Sequence, residues 1–210
     1  MSWILFLEQL LNGLQFGLML FLLAAGLTLV FGIMDMINLA HGSLYMIGAY
    51  LMASISQATG SFWAALPLAL VATGLVGAVL EVTILRRLYE RDHMTQVLAT
   101  FAIILIANEV VRMIWGSQPI MLNGPAGLTR PVELPGGIQY ASYRLAIIAV
   151  GAAVALLLYL FITKTRVGML VRAGASNREM AVAMGVDIRR LFTVVVALGA
   201  ALCGLAGAVL

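Results

Sequence analysis

Four stretches of this 210-residue chain, 9–34, 36–80, 145–163 and 191–210, contain no Asp, Glu, Lys or Arg. Each is long enough to cross a hydrocarbon core of about 30 Å as a helix, which takes about 18 or more apolar residues. Charged residues make up about a quarter of an ordinary globular domain; here they are 10%, against 63% apolar. In lipid every backbone N–H and C=O must be satisfied within the fold, which leaves helices as the economical solution. The fold class that follows is all-α, a polytopic membrane helix bundle forming a single transmembrane domain over 1–210. A soluble enzyme and a nucleic-acid binder are excluded, the net charge of +3 notwithstanding. Residues 1–7 carry no Lys or Arg, and the apolar run outlasts a signal-peptide core of roughly 7–15 residues, so the first segment is expected to be retained as a span.

Six apolar segments stand out, near 8–31, 42–58, 62–85, 97–115, 144–163 and 192–210. The short loop after the third carries Arg86, Arg87 and Arg91; the segment after the fifth, 164–191, carries Lys164, Arg166, Arg172, Arg178, Arg189 and Arg190. Short loops rich in Lys and Arg stay cytoplasmic. Residues 116–143 then lie outside, and their prolines and glycines predict an irregular segment. Trp115, Tyr140 and Tyr143 flank it as interfacial aromatics. Counting back puts the N-terminus outside, with 8–31 and 42–58 as two spans joined by a break at 32–42; the alternative is that the break is re-entrant. Leu210 falls inside an apolar run, so further spans are expected beyond it.

Ionisable residues within a bilayer cost a few kcal/mol each and need an account. Gly32, Asp35, Asn38, His41 and Gly42 form the first candidate. On a continuous helix Asp35, Asn38 and His41 share an arc, three apart each time, and two glycines bracket them. They are read either as a gate or pathway element at a broken helix or as a wetted cytoplasmic turn. Asn108, Glu109 and Arg112 share one face near the outer end of the fourth span and are read as a mutually neutralised interfacial cluster, the alternative being a role in the pathway. Glu81 and Glu8 are expected to be interfacial. Small residues at spacing four (Gly13 and Gly17; Gly199, Cys203 and Gly207) predict close helix packing. Cys203 is the sole cysteine, which excludes an intrachain disulfide.

Residues 164–191 are too long for a turn. Ser176-Asn177-Arg178-Glu179 has the form of a capping box, with Ser176 and Glu179 reciprocally bonding each other's amides. Gly185 suits a left-handed C-terminal cap. A two-turn helix at 177–184 results, with Ala181 as a small contact point and Met180, Ala183 and Met184 as apolar surface. A helix that short must dock on something: the bundle's own underside, lipid or a partner.

Glu179-Met180-Ala181-Val182-Ala183-Met184-Gly185 resembles the Glu-Ala-Ala loop of ABC-importer permeases, with Met180 in place of the first Ala. Thr165-Arg166-Val167-Gly168, the run Gly26 to Met34, Asn38-Leu39-Ala40-His41-Gly42, Gly48-Ala49-Tyr50 and Leu98-Ala99-Thr100-Phe101-Ala102 are similar to segments of branched-chain amino-acid permeases, in the same order. The resemblance implies an inner-membrane permease subunit of an ABC importer for branched-chain or related hydrophobic amino acids. It also implies a second, related permease, two cytoplasmic ATPases coupled through Ser176, Arg178, Glu179, Ala181 and Gly185, and a periplasmic binding protein. Lys164, the only lysine, follows no glycine-rich run, so the chain has no phosphate-cradling loop and no cofactor of its own is expected; ATP would be bound by the partners. Related permeases for amides or urea remain open as to substrate. The rival reading is an ion- or proton-coupled carrier using Asp35, His41 and Glu109. Two histidines 52 positions apart and one cysteine form no recognisable catalytic constellation, so an enzyme is not expected.

Overall fold

The structure, a computed structural model, describes residues 3–118, 120, 131–134 and 138–209. Its helices are α1 (Trp3–Met34), α2 (His41–Thr59), α3 (Phe62–Thr83), α4 (His93–Trp115), α5 (Ser142–Lys164), α6 (Arg166–Ser176), α7 (Arg178–Ala183) and α8 (Ile188–Ala208). A 3-10 turn, Leu85–Arg87, follows α3. Each of the six expected apolar segments carries a helix, the last of them to Ala208. Among the described residues, five helices are long and apolar enough to cross a membrane: α1, α3 with its 3-10 extension, α4, α5 and α8. The sixth, α2, is 19 residues long and carries His41, Ser43, Ser54, Ser56 and Gln57. The outer segment, expected to be irregular, holds a short antiparallel ribbon, β1 (Pro131–Leu134) with β2 (Ile138–Ala141), Pro131 opposite Ala141. The glycine-rich residues expected to turn the chain there, 124, 127, 136 and 137, lie outside the described residues.

The bundle is organised around α8, of which 72% is buried across its most apolar window, against 11% for α5. The reason is in its side chains. Gly199, Gly204 and Gly207 let other backbones approach, and a Cβ on Gly204 would lie 2.7 Å from Thr73 Oγ1 of α3. Gly48 of α2 meets Gly204 backbone to backbone, and a Cβ on Gly26 of α1 would be 2.7 Å from the Gly199 carbonyl oxygen. With no hydrophobic drive between helices in lipid, such close packing is what holds α1, α2 and α3 around α8. The other half of the expected small-residue stripe does not take part: a Cβ on Gly13 or Gly17 would meet nothing within 4 Å.

Helix directions follow from the buried clusters. The end of α1 (Val30, Ile33, Met34) packs with the start of α8 (Ile188, Leu191, Phe192), with Val171 and Ala181, and with Leu85. Earlier α1 residues (Met19, Leu22) pack with later α8 residues (Leu202, Leu205, Val209). Tyr140 and Arg144 both hydrogen-bond Asn12 Oδ1, at 3.0 and 2.7 Å, which ties the ribbon to the beginning of α1. The beginning of α1 therefore shares a side with the ribbon. The opposite side carries nine of the twelve cationic residues: Arg86, Arg87, Arg91, Lys164, Arg166, Arg172, Arg178, Arg189 and Arg190. By the positive-inside rule that side is cytoplasmic and the start of α1 is outside, as expected.

Candidate translocation pathway and coupling arm

Between α1 and α2 the chain is not helical at 35–38 and turns at 39–40. Burial alternates strictly: Met36, Asn38 and Ala40 are buried, while Asp35, Ile37 and Leu39 are exposed. With the helix interrupted at 35–40, Asp35, Asn38 and His41 do not share the expected helical arc. The segment runs back into the bundle. His41 packs level with Gly26, whose Cβ would be 3.0 Å from His41 Nε2, yet the chain has just left α1 at Met34. Gly26 lies eight residues before Met34, a descent of about 12 Å at 1.5 Å per residue that 35–40 must recover. The break is thus re-entrant, and α2 begins inside the membrane.

The two expected bracketing glycines do not make this break. Gly32 is within α1 and Gly42 in the first turn of α2, and a Cβ on either would meet nothing within 4 Å. The reversal is carried by Asp35 at φ 48°, a left-handed conformation that Asp tolerates better than most side chains. Asn38 then fastens the segment: its Oδ1 accepts the Ala40 N–H at 3.1 Å, and its own carbonyl accepts the His41 N–H at 3.4 Å. Asn38 and His41 are brought together in the interior, 4% and 3% exposed, and Asp35 is not. Asn38 Nδ2 is buried without a hydrogen-bond partner among the described residues, and His41 Nε2 makes none of good geometry, although the Leu23 backbone lies beside the ring. Such groups are costly unless something polar reaches them.

Beside them lies a cleft of about 200 Å³ between α2 and α4, lined by Leu39, Gly42, Ser43, Met46, Ile104 and Asn108. It is apolar except for one hydroxyl and one amide, and falls below the roughly 300 Å³ at which drug-sized pockets begin. Asn108 therefore separates from its expected cluster. Glu109 and Arg112 pair at 3.5 Å and are more than 60% exposed. No described hydrogen bond or ion pair joins Asp35, His41 and Glu109.

On the cytoplasmic side, α6 is an amphipathic helix in a segment where only the 177–184 helix was expected. Thr165 caps it by accepting the Gly168 N–H at 3.0 Å, and Gly168, Val171 and Gly174 are its buried stripe. Because α6 continues through Ser176, that residue is helical and cannot be the cap of α7; the expected capping box is overturned. Asn177, one residue on and extended at φ −153°, accepts the Met180 N–H at 2.9 Å, and Glu179 stands in the first turn without a reciprocal bond. Gly185 is left-handed at φ 85°, as expected. Val186 N–H reaches the Ala181 carbonyl and Gly185 N–H the Val182 carbonyl, a complete Schellman closure. Ala181 is buried in the cytoplasmic core cluster, while Met180, Val182 and Met184 are 59%, 54% and 78% exposed. Arg178 stacks over the Phe192 ring at 4.9 Å.

Glu81, expected to be interfacial, is instead fully buried. Arg86 grips both its oxygens at 3.2 and 3.1 Å, and Tyr89 and Thr193 each donate to it at 2.6 Å. Burial first, and then the bond to Glu81, push the Tyr89 phenol well above its ordinary value. A lone carboxylate four residues inside an apolar run was the available signal; Thr193, 112 positions away, was not.

Residues 9–210 match the family described as the branched-chain amino acid transport system / permease component. The chain is 29% identical over 218 residues to the high-affinity branched-chain amino acid transport system permease protein LivH of Escherichia coli (strain K12), covering 98% of this chain and 70% of that one. It is 31% identical over 202 residues to the probable branched-chain amino acid transport permease protein LivH of Methanocaldococcus jannaschii, covering 91% and 62%. A shorter match, 29% over 122 residues, is to the permease protein LivM of Salmonella typhimurium, covering 57% and 27%. No solved structure matches significantly.

Proposed function

We propose, from the premise that this chain belongs to the branched-chain amino acid transport permease family, that it is one membrane-spanning subunit of an ABC importer for branched-chain amino acids in the cytoplasmic membrane. A second, LivM-like permease completes the pathway, a binding protein delivers substrate from outside, and two ATPases supply the energy. The observation that carries this reading is α7: too short to stand alone, closed at both ends, anchored by Ala181 and presenting Met180, Val182 and Met184 outward. Flexible, polarisable Met side chains suit a surface that repacks against a moving partner.

Substrate passes, on this reading, along the re-entrant segment and the α2–α4 cleft. Leu39, Met46 and Ile104 give an aliphatic side chain an apolar wall, and Ser43 and Asn108 offer hydrogen bonds to its polar end. The test is uptake of labelled leucine by vesicles holding this chain with the second permease and both ATPases, supplied with binding protein. Uptake should require ATP, and Asn108→Leu should lower it while the ATPases remain bound. Uptake driven by an ion gradient without nucleotide would establish the carrier instead. Transport of amides or urea in preference to leucine would overturn the substrate.

A further inference from the structure

The side chains around Glu81 come from α3, the 84–92 loop and α8, and Arg178 of α7 reaches them through Phe192. Arg178 of α7 lies over the face of Phe192, the second turn of α8. The rings of Phe192 and Tyr89 form a T-shaped pair, centroids 5.1 Å apart at 88°. Tyr89 donates to Glu81 of α3, which Thr193 of α8 also reaches, so two helices and the 84–92 loop end on one carboxylate. From there α3 and α8 run together past Ala200 and Gly204, and α8 carries Gly199 against the His41 ring.

A buried carboxylate with every lone pair engaged holds one geometry well and intermediate geometries badly, because a half-satisfied network is worse than none. We infer that Glu81 is the positioning residue that carries movement of α7 on to α3: Arg178 of α7 moves Phe192 of α8, and Phe192 passes that movement to α3 through Tyr89 and Glu81. The inference rests on the reading of α7 as the ATPase-docking helix. Glu81 touches neither ATPase nor substrate; it sets how far one displaces the other.

The experiment uses the reconstituted complex of both permeases, ATPases and binding protein, and reads leucine transported per ATP hydrolysed alongside retention of the ATPases. Glu81→Gln and Tyr89→Phe should each lower that ratio at least about fivefold, the low end of ordinary coupling energies, with the ATPases still bound. Arg178→Gln should do the same. Combining it with Tyr89→Phe should lower the ratio no further than the worse single change, because both act through one path. An unchanged ratio, a multiplicative loss in the double variant, or loss of the ATPases from Tyr89→Phe would each overturn the inference. If Glu81→Gln does not assemble, Tyr89→Phe, which deletes one hydroxyl and no charge, decides by the same criteria. A wild-type complex that neither binds ATPases nor needs ATP would overturn the importer reading itself, a distinct result.

Discussion

Glycine plays opposite parts at two positions of this chain. Gly48 exists for the approach of Gly204, and a methyl there collides with backbone, which cannot swing aside as a side chain can. Overpacking of this kind costs about 1–3 kcal/mol. Gly32 meets nothing, and in the last turn of α1, two residues before Met34, it only forgoes helix propensity. Gly48→Ala should therefore lower the thermal midpoint of the purified protein in detergent, whereas Gly32→Ala should raise stability by about 0.5–1 kcal/mol. Equal behaviour of the two would mean that α2 and α8 are not packed through this contact. The sequence alone could mark both residues as small, but whether a neighbour fills the space beside them is a fact of the α2–α8 crossing and not of local pattern.

At the scale of elements, each apolar run became a helix because lipid leaves the backbone no other partner. What local reading misjudged was where one helix hands over to the next. Ser176 and Asn177 are both good caps, and the choice between them depends on how far α6 extends, which its buried stripe of Gly168, Val171 and Gly174 decides against Ile33 and Leu191. The handover can be measured. Asn177→Ala should cost α7 about 1 kcal/mol, which raises its frayed population roughly fivefold and with it the rate of trypsin cleavage after Arg178. Ser176→Ala should leave that rate nearly unchanged. The reverse result would restore Ser176 as the cap.

Across the whole molecule, the orientation and the order of helices were legible from charge, since nine cationic residues fall on one side. The Glu81 network and the depth at which α2 starts were not, because both depend on residues far apart in the chain meeting through α8. That depth has a consequence for solvent. The amides of Met36, Ile37, Asn38 and Leu39 make no described hydrogen bond, and they lie between the cytoplasmic end of α1 and the level of Gly199. Unsatisfied amides do not persist against hydrocarbon, so water must reach them from the cytoplasmic side. Peptides spanning 35–40 should take up deuterium within seconds to minutes in detergent or nanodiscs, while the flanking segments 20–33 and 44–56, fully bonded within helices, stay protonated far longer. Slow exchange at 35–40 would mean that this stretch is dry and folded otherwise. Fast exchange would mark a thread of hydration reaching into the bundle from below, ending at the ring of His41.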